Sequence, residues 1–182
     1  MNLASNKNIF KISVLAGFLA VLAITGFYYW KRQTQVQTIP LAQGIGVASQ
    51  IKTSQIPFLK EEGYATLIDL RPDGEAPDQP PAKIVESAAR TNQMAFFYVP
   101  VPHGDKVPDE VVAALSKAMA SSPKPILIYC RSGRRATRAW SLAEAAQKDG
   151  LGSAAIHAAA KKAGHSIDDL GAAITERIAR RN

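Results

Sequence analysis

The only cysteine of the chain, Cys130, ends the run ILIYC and is followed within eight positions by four arginines, Arg131, Arg134, Arg135 and Arg138. A cysteine kept for packing needs apolar neighbours and no charge. A nucleophilic one needs its thiolate stabilised by nearby cations and by backbone N–H groups at a helix N-terminus. The segment RSGRR supplies both, because Gly133 can take the positive φ that turns successive N–H groups toward one centre ahead of a helix. Such a loop cradles an oxyanion, and the same groups lower a thiol pKa from about 8.5 into the range of roughly 3.5 to 7.5. These residue types point to nucleophilic attack by Cys130 on an anionic substrate, with Arg131, Ser132, Gly133, Arg134 and Arg135 as the anion-binding loop.

The elements that must hold this loop alternate between strand and helix. IGVASQI is a short strand, and Thr53 caps a helix that stops at Gly63. ATLIDLR is an apolar strand, RPDGEAPDQPP a loop, AKIVESAARTNQM a helix by the spacing of Ile84, Val85, Ala88 and Ala89, and AFFYVPV a further strand. PHGDKVP is a loop, DEVVAALSKAMASS an amphipathic helix, and PILIYC the most apolar strand; beyond Cys130 the pattern is helical to the C-terminus, punctuated by Gly150, Gly152 and Gly164. Strands joined through helices pair in parallel, and a continuously apolar strand is covered on both faces. The expected fold is therefore α/β, a parallel sheet flanked by helices, with Cys130 at the carboxyl end of its best strand, where ligands bind in such sheets.

A chain of 182 residues fits one domain with an extension. The extension is ISVLAGFLAVLAITGFYYW, Ile12 to Trp30, 19 residues without a charge. That length spans a bilayer as a helix, and the closing aromatic group Phe27, Tyr28, Tyr29 and Trp30 suits the membrane interface better than a cleaved signal peptide does. The expected organisation is a tail over 1–11, a single-pass anchor over 12–30, a linker over 31–44 and the catalytic domain over 45–182. Lys7 and Lys11 face Lys31 and Arg32 across the anchor, a nearly level count that leans to an extracytoplasmic domain. Without those four cations the net charge of +7 falls to +3, because every acidic residue lies beyond position 60. That is too little for a nucleic-acid partner.

The segment YCRSGRRA, taken with ATLIDLRPDGEAPDQP and AFFYVPV, resembles the phosphatase-like domain of the bacterial β-lactamase-hydrolase-like family, a relative of the dual-specificity tyrosine phosphatases. The likeness runs from about Ile45 to Leu170. It implies a tyrosine-phosphatase-like fold, Cys130 as nucleophile, Arg131 to Arg135 as the phosphate loop and a phosphorylated substrate, with no cofactor. CRSGRR alone also resembles the active loop of rhodanese sulfurtransferases, which implies a persulfide on Cys130 and a sulfur-bearing substrate. Tyrosine phosphatases separate their Cys and Arg by five residues and follow the Arg with Ser or Thr, which puts Ala136 where the Arg belongs and Thr137 at the hydroxyl. If Arg135 serves, the loop is one residue shorter, closer to the rhodanese pattern.

Phosphatase chemistry also needs an acid for the leaving group, expected on the loop after AFFYVPV, with Asp105 as first candidate and His103 as second. Sulfur transfer needs none. A third possibility is a catalytically silent anion-binding module using the same loop. Elsewhere Arg138 is expected to pair with a carboxylate, Asp69 and Arg71 to brace a loop or touch substrate, Trp140 to pack against the sheet, and His157 and His165 to be structural or exposed. No cluster of His and carboxylates marks a metal site.

Overall fold

The structure, a computed structural model, describes residues 14, 16–26, 28, 35–104 and 106–181. The chain divides into two units, 1–35 and 36–182. In the first, residues 14, 16–26 and 28 are helical. Among the described residues no helix is long and apolar enough to cross a membrane. The anchor expected over Ile12 to Trp30 falls in part outside the described residues, at Ile12, Ser13, Leu15, Phe27, Tyr29 and Trp30.

The second unit is an α/β domain built on a five-stranded sheet of order β1-β2-β5-β3-β4. Its elements are β1 (Ile39–Ala42), β2 (Ile45–Ala48), a 3-10 turn (Thr53–Gln55) leading into α1 (Ile56–Glu61), β3 (Thr66–Asp69), α2 (Ala82–Thr91) and β4 (Ala95–Tyr98). They continue with α3 (Asp109–Ser121), β5 (Ile126–Tyr129), α4 (Arg134–Ala146), α5 (Ser153–Lys162), a second 3-10 turn (Asp168–Leu170) and α6 (Gly171–Arg181). Strands β2 to β4 alternate with helices, as the sequence pattern requires, and β5 pairs in parallel with β2 on one side and β3 on the other. The expected all-parallel sheet is corrected at its edge. β1 runs antiparallel to β2 and sits in the stretch read as linker. Its Pro40 obscured it in the sequence; an edge strand tolerates a proline because one row of its N–H groups has no ladder partner. Gly44, at φ 71°, makes the tight return into β2.

Side chains of β5 alternate between the two faces of the sheet. Leu127 and Tyr129 pack with Ile56, Leu59 and Val85 from α1 and α2. Ile126, Ile128 and Cys130 join Leu115, Ala139 and Trp140 in the larger core under α3 to α6. All of these side chains are fully buried, and each aliphatic one contributes about 1.5 to 3 kcal/mol relative to exposure. Trp140 lies inside this layer, as expected. The central strand is thus fixed from both faces, and its carboxyl end presents Cys130 at one defined point.

Candidate active site

Cys130 follows β5 directly and has no exposed surface. The chain then turns through Arg131, Ser132 and Gly133 into α4. Gly133 caps that helix at φ 85°, the left-handed conformation that the sequence reading required of it. A Cβ there would stand 3.1 Å from His165 Nε2 and 3.5 Å from the Ala48 carbonyl oxygen, so both the backbone twist and the space call for glycine. The first N–H groups of a helix have no partner within it, so the start of α4 offers donors directly after the cysteine. Gly133 O accepts from Thr137 N–H at 2.9 Å and from Thr137 Oγ1 at 3.0 Å, which locks the turn from behind.

The two possible registers of the arginine are distinguished by burial. Ala136 has no exposed surface and lies in the apolar core, where a guanidinium would have no anion to meet. Arg135 instead lies within electrostatic reach of the Cys130 thiol; against the opposing effect of burial, Glu75 and that thiol together raise its pKa. Its Nη1 donates to Glu75 Oε1 at 2.6 Å and to the Val101 carbonyl at 2.9 Å, and its Nη2 donates to Glu75 Oε2 at 2.6 Å. A guanidinium carries five N–H groups in a rigid fork. These three bonds leave Nε–H and one Nη2–H on a common edge, the geometry that takes two oxygens of one anion.

Glu75 was not among the site residues expected from the sequence, yet it organises the site. Its side chain is 4% exposed, accepts from Arg71 Nε at 3.0 Å and lies 3.1 Å from His103 Nε2. The Arg135 hydrogen bonds hold its carboxyl at about 2, against the opposing effect of burial and with further help from Arg71 and from the charge of His103. The loop that carries it is braced at several points. Asp69 Oδ1 accepts the Arg71 N–H at 2.8 Å, Gln79 bonds both Pro72 O and Glu75 N–H, and Asp73 Oδ1 caps α2 by accepting the Ala82 N–H at 2.8 Å. Arg71 Nη1 donates to Gln50 Oε1 at 2.8 Å, and Gln50 N–H donates to Arg131 O at 3.3 Å, so the loop after β2 ties the arginine network to the cysteine loop. Asp69 and Arg71 therefore brace, one of the two roles foreseen for them. Asp69 is buried, and that burial raises its carboxyl to about 6 although the Arg71 backbone bond pulls the other way.

Of the expected site residues, the structure brings Cys130, Gly133 and Arg135 together. Arg131, Ser132 and Arg134 are exposed. Asp105 lies outside the described residues. His103, the second acid candidate, is 71% exposed and faces Glu75. Arg138, three residues after Arg135, pairs with Asp169 through Nη1 at 2.7 Å and Nη2 at 2.5 Å, the carboxylate partner expected for it. His157 and His165 are half-buried; burial and the nearby Arg134 lower the His165 pKa.

The stretch of chain that builds this site matches a known family. The family model described as Beta-lactamase hydrolase-like protein, phosphatase-like domain, matches residues 38–147. The chain belongs to that family. Among curated relatives, a Beta-lactamase hydrolase-like protein of Xylella fastidiosa is 30% identical over 109 residues, and one of Agrobacterium fabrum is 29% identical over 110 residues. Each alignment takes in 60% of this chain and 25% of the relative, so the match spans about a quarter of their length. Among solved structures, a candidate phosphatase of Neisseria meningitidis superposes with a TM-score of 0.63 at 22% identity, over 79% of this chain and 97% of that one. Tk-PTP in its active form superposes with a TM-score of 0.62 at 12% identity, over 80% and 97% of the two chains. These likenesses show the fold, that of tyrosine-phosphatase-like proteins, and the family supports a phosphatase.

Proposed function

We propose that this domain is a cysteine-dependent phosphatase acting through a phosphocysteine intermediate. The observation that carries the proposal is Arg135, held by Glu75 beside Cys130 with one edge of its guanidinium left for an anion. Cys130 thiolate attacks phosphorus, forming an S–P bond as the P–O bond to the leaving group breaks. The Arg135 edge and the N–H groups at the start of α4 hold the equatorial oxygens as charge develops on them. The leaving oxygen takes a proton from an acid on the loop after β4, where the sequence offers Asp105 and His103. Water then attacks the phosphocysteine, breaking the S–P bond and returning thiolate and inorganic phosphate.

One observation favours a second reading. Cys130 and Arg135 are separated by four residues, one fewer than in tyrosine phosphatases, which leaves a ring suited to a sulfane sulfur on Cys130. The full chain, assayed with an aryl phosphate and separately with thiosulfate plus cyanide, distinguishes the two. Turnover of the aryl phosphate that disappears in Cys130→Ser is the expected result. Turnover of thiosulfate alone replaces the phosphatase with a sulfurtransferase, and anion binding with no turnover of either leaves a silent binding module. The run Ile12 to Trp30 adds a proposal of placement, a single membrane-spanning helix with the domain outside the cytoplasm. Protease accessibility of the domain in intact cells tests it.

A further inference from the structure

We propose that His103, oriented by Glu75, is the group that exchanges the proton with the leaving oxygen; this rests on the phosphatase reading above. The imidazole stands on the loop after β4, and that loop is fastened to the site at two points. Val101, two residues earlier, gives its carbonyl to Arg135 Nη1 at 2.9 Å, and His103 Nε2 lies 3.1 Å from Glu75 Oε1. The same carboxylate therefore grips the guanidinium that lies near Cys130 and the imidazole at the mouth. Glu75 stays ionised through the whole range in which a histidine titrates, because its carboxyl is held at about 2. Its oxygen 3.1 Å from Nε2 favours a proton on that nitrogen, and the proposal gives the exchange with substrate to Nδ1. A carboxylate that holds one ring nitrogen so that the other can exchange protons is a recurrent arrangement of catalytic histidines. The ring is 71% exposed, which leaves it open to an incoming ester, while Glu75 itself is buried at 4%.

The proton balance closes over both steps. In the first, the imidazolium gives its Nδ1 proton to the oxygen leaving phosphorus as the S–P bond forms, and the alcohol departs neutral. In the second, neutral Nδ1 takes a proton from the water that attacks the phosphocysteine, and Cys130 leaves as thiolate. No further reactant is needed. Glu75 thus has two duties, fixing Arg135 for the phosphoryl oxygens and His103 for the bridging one.

The experiment compares the full-length wild type, His103→Gln, Asp105→Asn and Cys130→Ser on p-nitrophenyl phosphate, whose leaving group needs little protonation, and on phenyl phosphate, whose leaving group needs much. Wild type is expected to turn over both, and Cys130→Ser neither. In kcat/KM, which reports the step that expels the leaving group, His103→Gln is expected to lose about 10²-fold or more on phenyl phosphate and less than about tenfold on p-nitrophenyl phosphate. Asp105→Asn is expected to lose equally on both, if at all. Equal losses on the two esters in His103→Gln, or the leaving-group split appearing in Asp105→Asn, overturn the assignment to His103 while leaving the phosphatase in place. A wild type inactive on both esters strikes the phosphatase itself and takes the assignment with it.

Discussion

Two arginines on the same helix, Arg135 and Arg138, are each gripped by a carboxylate with both Nη atoms, and the surroundings of the two pairs differ. Arg138 is 3% exposed and its partner Asp169 is 57% exposed, so a buried cation reaches outward to a surface anion. The Arg138 hydrogen bonds lower the Asp169 carboxyl, one guanidinium gripped by one carboxylate, and the charge of Arg134 adds to the effect. Around Arg135 the order is reversed. There the carboxylate is the buried member, at 4%, and it accepts from Arg135 and Arg71 at once with His103 Nε2 also beside it. One carboxylate is shared by two permanent cations, Arg135 and Arg71, and Arg135 lies near the only cysteine. A balanced pair completes a fold, whereas an unbalanced one, held rigid, awaits a further anion.

Breaking the unbalanced pair has the largest expected effect. Glu75→Gln keeps the shape but gives up the charge that fixes Arg135, and kcat on an aryl phosphate is expected to fall about 10²-fold with the fold retained. The same variant loses an acid-dependent part of its stability. Because the folded carboxyl sits at about 2, below its ordinary 4.5, its contribution is fully present above 4.5 and is lost as pH falls through about 2. Urea unfolding of wild type from neutral pH downward should show that loss, and the variant should not. Should Glu75→Gln unfold the protein while turnover per folded molecule stays intact, the two pairs are alike and the contrast fails.

Breaking the balanced pair should do the opposite. Asp169→Asn leaves a buried guanidinium with a weaker partner, at a cost of about 1 to 2 kcal/mol once the exposure of Asp169 is discounted. Turnover is expected to stay within about twofold, since the pair lies outside the cradle. A shift of the urea midpoint with unchanged kcat checks both halves of this statement.

The smallest effect concerns Asp69, which braces the same loop from below. Its folded carboxyl is raised to about 6 from 3.8, so the folded state keeps a proton that the unfolded chain has released. Its contribution to stability is therefore fullest below 3.8 and is lost as pH rises through about 6. Asp69→Asn can still accept the Arg71 N–H, and its stability should be flatter across that window. Unfolding midpoints collected from pH 4 to 7 decide it.

The sequence carried the strands and the cysteine loop well, because their signals are local. The run ILIYC is apolar without interruption, and RSGRR states its own turn and its own charge. The edge strand Ile39–Ala42 was hidden by its proline and polar neighbours, and its identity depends on a partner strand that only the fold supplies. Glu75 escaped for the same kind of reason. It stands 60 residues from Arg135, in a loop whose Pro and Gly announce a turn but not what the turn faces. The one local hint was its place four residues after Arg71, a spacing that also fits an ordinary surface pair. Spacing alone left the register of the arginine open, and the burial of Ala136 depends on packing that no local pattern announces.

The central claim is that sulfur at position 130 carries the phosphoryl group during turnover. Rapid acid quench of the full chain during hydrolysis of an aryl phosphate, followed by mass spectrometry of the peptide holding Cys130, tests this directly. The account predicts a phosphoryl group on Cys130 that is absent from Cys130→Ser and that accumulates when the proton exchange at His103 is removed. Steady hydrolysis with Cys130 recovered unmodified at every quench time, or with an added sulfur atom in place of phosphate, would contradict it.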